Sequence, residues 1–145
     1  MSVRSVDTVE RNVHKTNEWL KEMARLLGTD DKDDAWSALR AYLQVLRDRL
    51  TLEEGAQLAA QLPDLLRGVF YEGFDPGRQP EKIRHREQYL EELAERAVAA
   101  DTAHAALIAT AGTQVLRDHV TEGEMEDVLA QLPQEIRELL STASG

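Results

Sequence analysis

The stretch that decides the fold is residues 45–69, which read VLRDRLTLEEGAQLAAQLPDLLRGV. Residues 115–139 read VLRDHVTEGEMEDVLAQLPQEIREL and align with it without a gap, at an offset of 70 residues. The identical pairs include Val45/Val115, Leu46/Leu116, Arg47/Arg117, Asp48/Asp118, Thr51/Thr121, Glu54/Glu124, Gln61/Gln131, Pro63/Pro133 and Arg67/Arg137. Because a fixed period sets the architecture of a chain, this repeat predicts two copies of one structural unit.

The similarity extends upstream of the quoted stretch. Residues 17–24 match residues 87–94 at the same offset, through the like pairs Trp19/Tyr89, Leu20/Leu90, Glu22/Glu92 and Ala24/Ala94. The repeated unit therefore reads as three helices followed by a short fourth helix. We predict one all-α compact helical domain over residues 1–145, with about eight helices in a tandem repeat of two four-helix units. The internal repeats are 7–72 and 81–141, and residues 71–80 form a connector.

The first unit shows helix signals at both ends of its first helix. Apolar residues three, four and seven apart predict an amphipathic helix over 7–27, with Asp7 as N-cap and Glu10 completing a capping box. Gly28 follows the last apolar residue and predicts the C-terminal stop. A second seam of apolar residues predicts a helix over about 33–49.

The third and fourth helices are marked by their first residues. A threonine followed three residues later by a glutamate predicts a capping box in each copy, Thr51 with Glu54 and Thr121 with Glu124. In such a box the threonine oxygen accepts from the third amide, and the glutamate reaches back to the threonine amide. Pro63 and Pro133 interrupt the third helices and predict the start of a short fourth helix in each copy.

Five stretches carry a family resemblance: TNEWL (16–20), GTDD (28–31), LRDRL (46–50), QLPDLLRGVFYEGFDP (61–76) and KIRHREQYLEEL (82–93). Together they resemble the bacterial family designated domain of unknown function 2267, over nearly the whole chain. Phe74 departs from the tryptophan expected in many relatives but keeps an aromatic ring. The resemblance implies an all-helical tandem repeat and carries over no catalytic residues.

Composition limits the classes of function. The net charge is −10, from 17 basic and 27 acidic residues, and a chain this acidic repels phosphate backbones, so we predict no nucleic-acid partner. There is no cysteine, which excludes disulfides and thiolate metal sites and suits a reducing compartment. No apolar run approaches the roughly 18 residues of a membrane span. We predict a cytoplasmic protein without a membrane partner.

Motifs for chemistry are missing from the sequence. The four histidines, His14, His85, His104 and His119, show no ligand-pair spacing, and His119 at a helix end is predicted to act as a capping cation. The acidic cluster at 30–34 lacks the spacing of a calcium loop. No glutamate or aspartate is clearly interior to an apolar stripe. The sequence therefore predicts no catalytic residue, no cofactor and no metal site, and a protein that is not an enzyme.

By elimination we predict a protein-interaction or scaffold module whose partner is another protein, with the oligomeric state left open. The alternative is a small-ligand-binding protein or enzyme with a pocket between the repeats; a nucleic-acid binder is third. The segment 71–86 combines aromatic and basic residues that suit a binding surface, and we name it the connector surface: Tyr71, Phe74, Arg78, Lys82, Arg84 and Arg86. A structural interpretation is also open, in which the aromatic rings cover the seam between the repeats and the arginines pair with Glu87 or Glu91.

Overall fold

The computed structural model describes residues 3–77 and 83–141, with side chains described from residue 7 onward. These residues form eight helices and no strand, which confirms the predicted compact all-α fold. The helices are α1 (Val3–Leu27), α2 (Lys32–Arg47), α3 (Leu52–Ala59), α4 (Asp64–Tyr71), α5 (Arg86–Ala97), α6 (Thr102–His119), α7 (Glu122–Ala130) and α8 (Gln134–Ser141). None of these helices has both the length and the apolar character needed to cross a membrane.

Helices α2 and α6 contact each other, and the other long helices pack on both of them. Helix α1 packs on α2 and also on α6, while α5 packs on α6 and also on α2. The short helices follow the same order, because α4 contacts α2 and α1, α8 contacts α6 and α5, and α3 contacts α7. Buried residues from both halves form one continuous hydrophobic cluster. The two halves are therefore interleaved around a shared core.

The contact between α2 and α6 depends on a large residue facing a small one. Tyr42 of α2 is fully buried, and its ring lies so close to Gly112 of α6 that a Cβ atom there would be 2.5 Å from the tyrosine Cγ. The Tyr42 hydroxyl and Thr113 Oγ1 are 2.8 Å apart, and Thr113 in turn donates to the Ala109 carbonyl at 2.8 Å. Positions 42 and 112 are equivalent at the offset of 70, so Tyr42 packs against its own counterpart.

Most of the predicted helix ends are confirmed. Gly28 has φ +74° and follows the last residue of α1. The threonine caps are present as well: Thr51 Oγ1 accepts from the Glu54 amide at 3.1 Å, and Thr121 Oγ1 from the Glu124 amide at 3.2 Å. Helices α4 and α8 begin directly after Pro63 and Pro133.

The N-cap prediction for α1 is wrong. Asp7 lies inside α1, which already begins at Val3, because no proline or glycine between these positions breaks the helix. The start of α2 is one residue earlier than predicted, and its N-cap is Asp31, whose Oδ1 accepts from the Asp33 amide at 2.8 Å.

Several tertiary contacts recur at equivalent positions of the two halves. Arg67 donates from Nε to the Ala59 carbonyl at 2.9 Å, and its counterpart Arg137 donates to Leu129 at 3.1 Å. An ion pair joins Arg49 to Glu92, and the equivalent positions 119 and 22 hold His119 and Glu22, whose Nε2 and Oε2 atoms are 2.9 Å apart. A tandem repeat predicts such equivalent contacts, and the division into two four-helix units stays a prediction.

Candidate functional site

The connector surface is described in part, because Arg78 and Lys82 lie outside the described residues. Tyr71 ends α4 with 37% of its surface exposed, and its ring centroid is 5.6 Å from that of the half-buried Phe74. Arg84 and Arg86 are exposed at the beginning of α5. The structure thus brings the two aromatic rings together and places the two arginines at the start of the next helix.

Phe74 packs against Arg47 of its own half of the chain, and the pairing expected in the alternative structural interpretation is missing for Arg84 and Arg86. Arg47 lies over the Phe74 ring, with its guanidinium carbon 5.4 Å from the centroid. In the described part of the chain, neither Arg84 nor Arg86 forms the ion pair expected with Glu87 or Glu91. Phe74 is therefore anchored, while the two guanidinium groups face solvent.

Arg47 of α2 forms hydrogen bonds to the backbone at the beginning of the connector. Its side chain is only 5% exposed, and Nη1 donates to the Phe70 carbonyl at 2.9 Å and to the Glu72 carbonyl at 2.8 Å. Its Nε also donates to Asp48 Oδ1 at 2.9 Å. The arginine satisfies carbonyls that the end of α4 leaves open, so the backbone at 70–72 is held against α2.

A cleft of about 530 Å³ opens beside Phe74, between α2, the end of α4 and α5. Its arginines are matched by carboxylates: Arg40 pairs with Glu72, and Arg96 Nη2 lies 3.4 Å from Asp48 Oδ2. Hydrogen bonding to Arg40, and its charge, lower the pKa of the Glu72 carboxyl. The cleft is therefore polar, and the charges of its arginines are balanced by its own carboxylates. Phe74 forms its aromatic wall.

Helices α3 and α7 exchange hydrogen bonds through glutamines. The Thr51 amide donates to Gln131 Oε1 at 3.1 Å, and the Thr121 amide donates to Gln61 Oε1 at 2.8 Å. The second half of the predicted capping box is therefore wrong in both copies. In each copy the threonine amide donates to a glutamine of the opposite half, and not to the local glutamate that was expected to accept from it.

Glu54 and Glu124 instead meet one another between α3 and α7. They are only 8% and 7% exposed, which overturns the expectation that no acidic residue is interior. One oxygen of each, together with one oxygen of Asp127, lie within 4.8 Å of one another. Burial, the hydrogen bond to Glu54 and the charge of Glu54 raise the pKa of Glu124 to about 8. Glu54 and Glu124 are equivalent at the offset of 70 residues. This equivalence is the one feature of the sequence that could have predicted their contact.

A second acidic group lies between α1 and α6. The His119 ring stacks on Trp19, with 4.7 Å between centroids and 21° between planes, and its Nε2 lies 2.9 Å from Glu22 Oε2. Burial, together with the hydrogen bond and charge of Asp118, raises the pKa of Glu22 to about 7. His119 therefore contacts α1 through its ring, which the expectation of a capping cation did not anticipate.

These features define a compact all-helical protein whose two halves share one core and leave a polar cleft beside the connector. The profile of the family described as "Uncharacterized conserved protein (DUF2267)" matches residues 16–139. The chain therefore belongs to this family. None of the curated proteins is similar enough to match the chain.

Proposed function

We propose that this protein is a protein-interaction or scaffold module, and that its partner binds the connector surface together with the adjoining cleft. The observation that carries the proposal is the open cleft beside Tyr71 and Phe74, lined by Arg40, Arg47 and Arg96. Arginine and aromatic side chains are enriched at the residues that dominate binding energy in protein interfaces. A partly exposed aromatic pair beside a preformed cleft supplies an anchor of this kind.

The charges in the cleft favour binding over catalysis. A general acid or base works best when its pKa is moved towards the working pH. The two carboxyl groups with strongly raised pKa values, Glu22 and Glu124, are not among the residues that line the cleft. Within the cleft, Glu72 has a lowered pKa instead, since Arg40 stabilises its charged form. This arrangement supports a protein that recognises a partner without transforming it.

The proposed partner is an acidic protein segment. The side chains of Arg84 and Arg86 are exposed and form no ion pair among the described residues, in a chain whose net charge is −10, although the Arg86 backbone amide donates to Glu135 Oε2 at 2.8 Å. A basic patch on an acidic molecule directs an acidic partner to one face and raises its rate of association.

The proposal is tested by removing the positive charge of the connector. The variant Arg78→Gln/Arg84→Gln/Arg86→Gln is compared with Arg11→Gln/Lys15→Gln/Lys21→Gln, which removes the same charge from the exposed side of α1. Both variants and the wild type are immobilised, and proteins recovered from host lysate are quantified by mass spectrometry beside a thermal melt of each bait. We expect only the connector variant to lose partners, with an unchanged Tm. Equal recovery by all three baits contradicts the proposal.

The alternative, a small-ligand site or active site, is favoured by the position of the cleft between the predicted repeats. Its lining joins Arg40, Gln44 and Phe74 of the first half to Arg96 of the second. A thermal-shift screen of small polar metabolites separates the two functions. A ligand that raises the Tm of the wild type, and not that of Phe74→Ala, supports the alternative.

A further inference from the structure

The carboxylates between α3 and α7 have the spacing of ligands around one ion. Glu54 and Glu124 are the third residues of their helices, and Asp127 lies one turn further along α7. One oxygen from each lies within 4.8 Å of the others. Oxygens that bind a common calcium or magnesium ion, at roughly 2.0 to 2.6 Å each, are separated by no more than about 4 to 5 Å. The three oxygens therefore fit around a single cation.

Independent support comes from the unsatisfied oxygens of the two glutamates. Glu54 Oε2 and Glu124 Oε2 are buried and accept no hydrogen bond, in side chains that are more than nine-tenths buried. No lysine, arginine or histidine of the described residues forms an ion pair with Glu54, Glu124 or Asp127. Two adjacent buried carboxylates need a neutralising partner, since an unpaired buried charge is strongly destabilising.

A proton or a cation meets this need, and the two compete for the same oxygens. A divalent cation neutralises the same charge and displaces the proton, as metal ions do when they bind carboxylates. The N-terminal ends of α3 and α7 add a partial positive potential that eases the crowding of negative charge without removing it.

We propose that Glu54, Glu124 and Asp127 bind one divalent cation of the oxygen-preferring class, between the first turns of α3 and α7. The donor set contains only carboxylate oxygens, which favours Mg²⁺, Ca²⁺ or Mn²⁺ over the metals that prefer imidazole or thiolate. Asp127 is exposed, so the ion reaches the site from solvent and retains water in its remaining positions. The bound ion joins α3 to α7, two helices that belong to different halves of the chain.

The test uses Mn²⁺ as the probe and follows the loss of its free-ion electron paramagnetic resonance signal in buffered physiological salt. Wild type is compared with Glu54→Gln, Glu124→Gln and Asp127→Asn. Glu126→Gln, which changes an exposed neighbour on α7, is the matched control for general acidity. We expect saturable binding of one Mn²⁺ per chain in wild type and in the control. Each ligand variant is expected to weaken binding at least about tenfold, and Mn²⁺ to raise the Tm only where it binds.

Two outcomes overturn the proposal. The first is an absence of saturable wild-type binding up to about 1 mM Mn²⁺, the weak end of the range for carboxylate sites. The second is equal binding by the wild type and all four variants. That result would mean that the overall negative charge of the surface attracts the ion and that the three carboxylates do not bind it. The metal-free Tm of each variant checks that folding does not confound the result. A glutamine at position 124 can donate to Glu54 and relieve the repulsion, so we expect the metal-free Tm of Glu124→Gln to be at least that of the wild type. Asp127→Asn alters an exposed side chain only, so its binding is compared with that of the wild type without an effect on the buried pair.

Discussion

Val98 is a β-branched residue in left-handed helical backbone at the end of α5. Its φ and ψ are +53° and +43°, and 89% of its surface is exposed, so no packing offsets the conformation. The equivalent position in the first half is Gly28, with φ +74°. Left-handed backbone costs a residue with a Cβ roughly 1–2 kcal/mol, whereas glycine adopts it freely.

We therefore expect Val98→Gly to raise the free energy of unfolding by about 1 kcal/mol, and Gly28→Val to lower it by a similar amount. Urea denaturation measures both. Val98→Thr keeps the branched side chain and should bring no gain. A Val98→Gly midpoint at or below that of the wild type would show that this backbone carries no strain.

Gly112 is required by the ring that lies on it. A methyl group there would lie 2.5 to 2.7 Å from three ring atoms of Tyr42, close to the root of a fully buried side chain that has no room to turn. We expect Gly112→Ala to cost about 1–3 kcal/mol through overpacking. The control is Gly68→Ala on exposed α4 backbone, where a Cβ meets nothing within 4 Å, so alanine should stabilise by about 0.5–1 kcal/mol. Equal thermal melts for the two variants would argue against the close contact.

At the scale of elements, the contact between α1 and α6 makes stability depend on pH. The pKa of Glu22 is raised from 4.5 to about 7, so between these values the folded protein holds a proton that the unfolded chain releases. The free energy of unfolding should therefore fall as the pH rises from about 4.5 through about 7.

Glu22→Gln should remove this part of the pH dependence, which amounts to roughly 2 kcal/mol after allowance for the partial exposure of the group. Urea unfolding between pH 4.5 and 8 measures it, as the difference between wild type and variant at each pH. Glu10→Gln, on an exposed position of the same helix, should give a constant difference. If the free energy of unfolding changes with pH in the same way for the wild type and Glu22→Gln, Glu22 does not have the raised pKa.

The sequence predicted those elements that depend on neighbours along the chain. The threonine cap at 51, the glycine stop at 28 and the helix start after Pro63 each follow from local chemistry, and each is confirmed. The partners of Glu54 and His119 were not predicted. They depend on contacts such as Thr51 with Gln131 and Glu22 with His119, whose members are 80 and 97 residues apart. Rules based on neighbouring residues pair Glu54 with the nearby Thr51 amide. The packing of α3 on α7 instead brings Gln131 to that amide.

At the scale of the whole molecule, neither half should be stable alone. Because α1 packs on α6 and α5 packs on α2, a fragment of residues 3–77 lacks partners for apolar faces that are buried in the full chain. Units of this kind need their neighbours to complete a core. We expect the fragment to show no cooperative thermal transition as a monomer, and the addition of a fragment of residues 83–141 to restore helical circular dichroism. Cooperative melting of monomeric 3–77 would contradict the shared core.

Because α1 packs on α6, the first half of the chain cannot complete its packing on the ribosome until α6 has been synthesised. The nascent chain finishes α1 to α4 well before it reaches His119, the last residue of α6. At about 5–20 residues per second, synthesis from residue 77 to residue 119 takes about 2 to 8 seconds. Helices α1 and α4 can already pack on α2, but throughout that interval α6 is incomplete and Tyr42 lacks its contacts with Gly112 and Thr113. We therefore expect the nascent first half to expose the α6-binding face of α2 and to be open to chaperones that bind apolar segments until α6 is made.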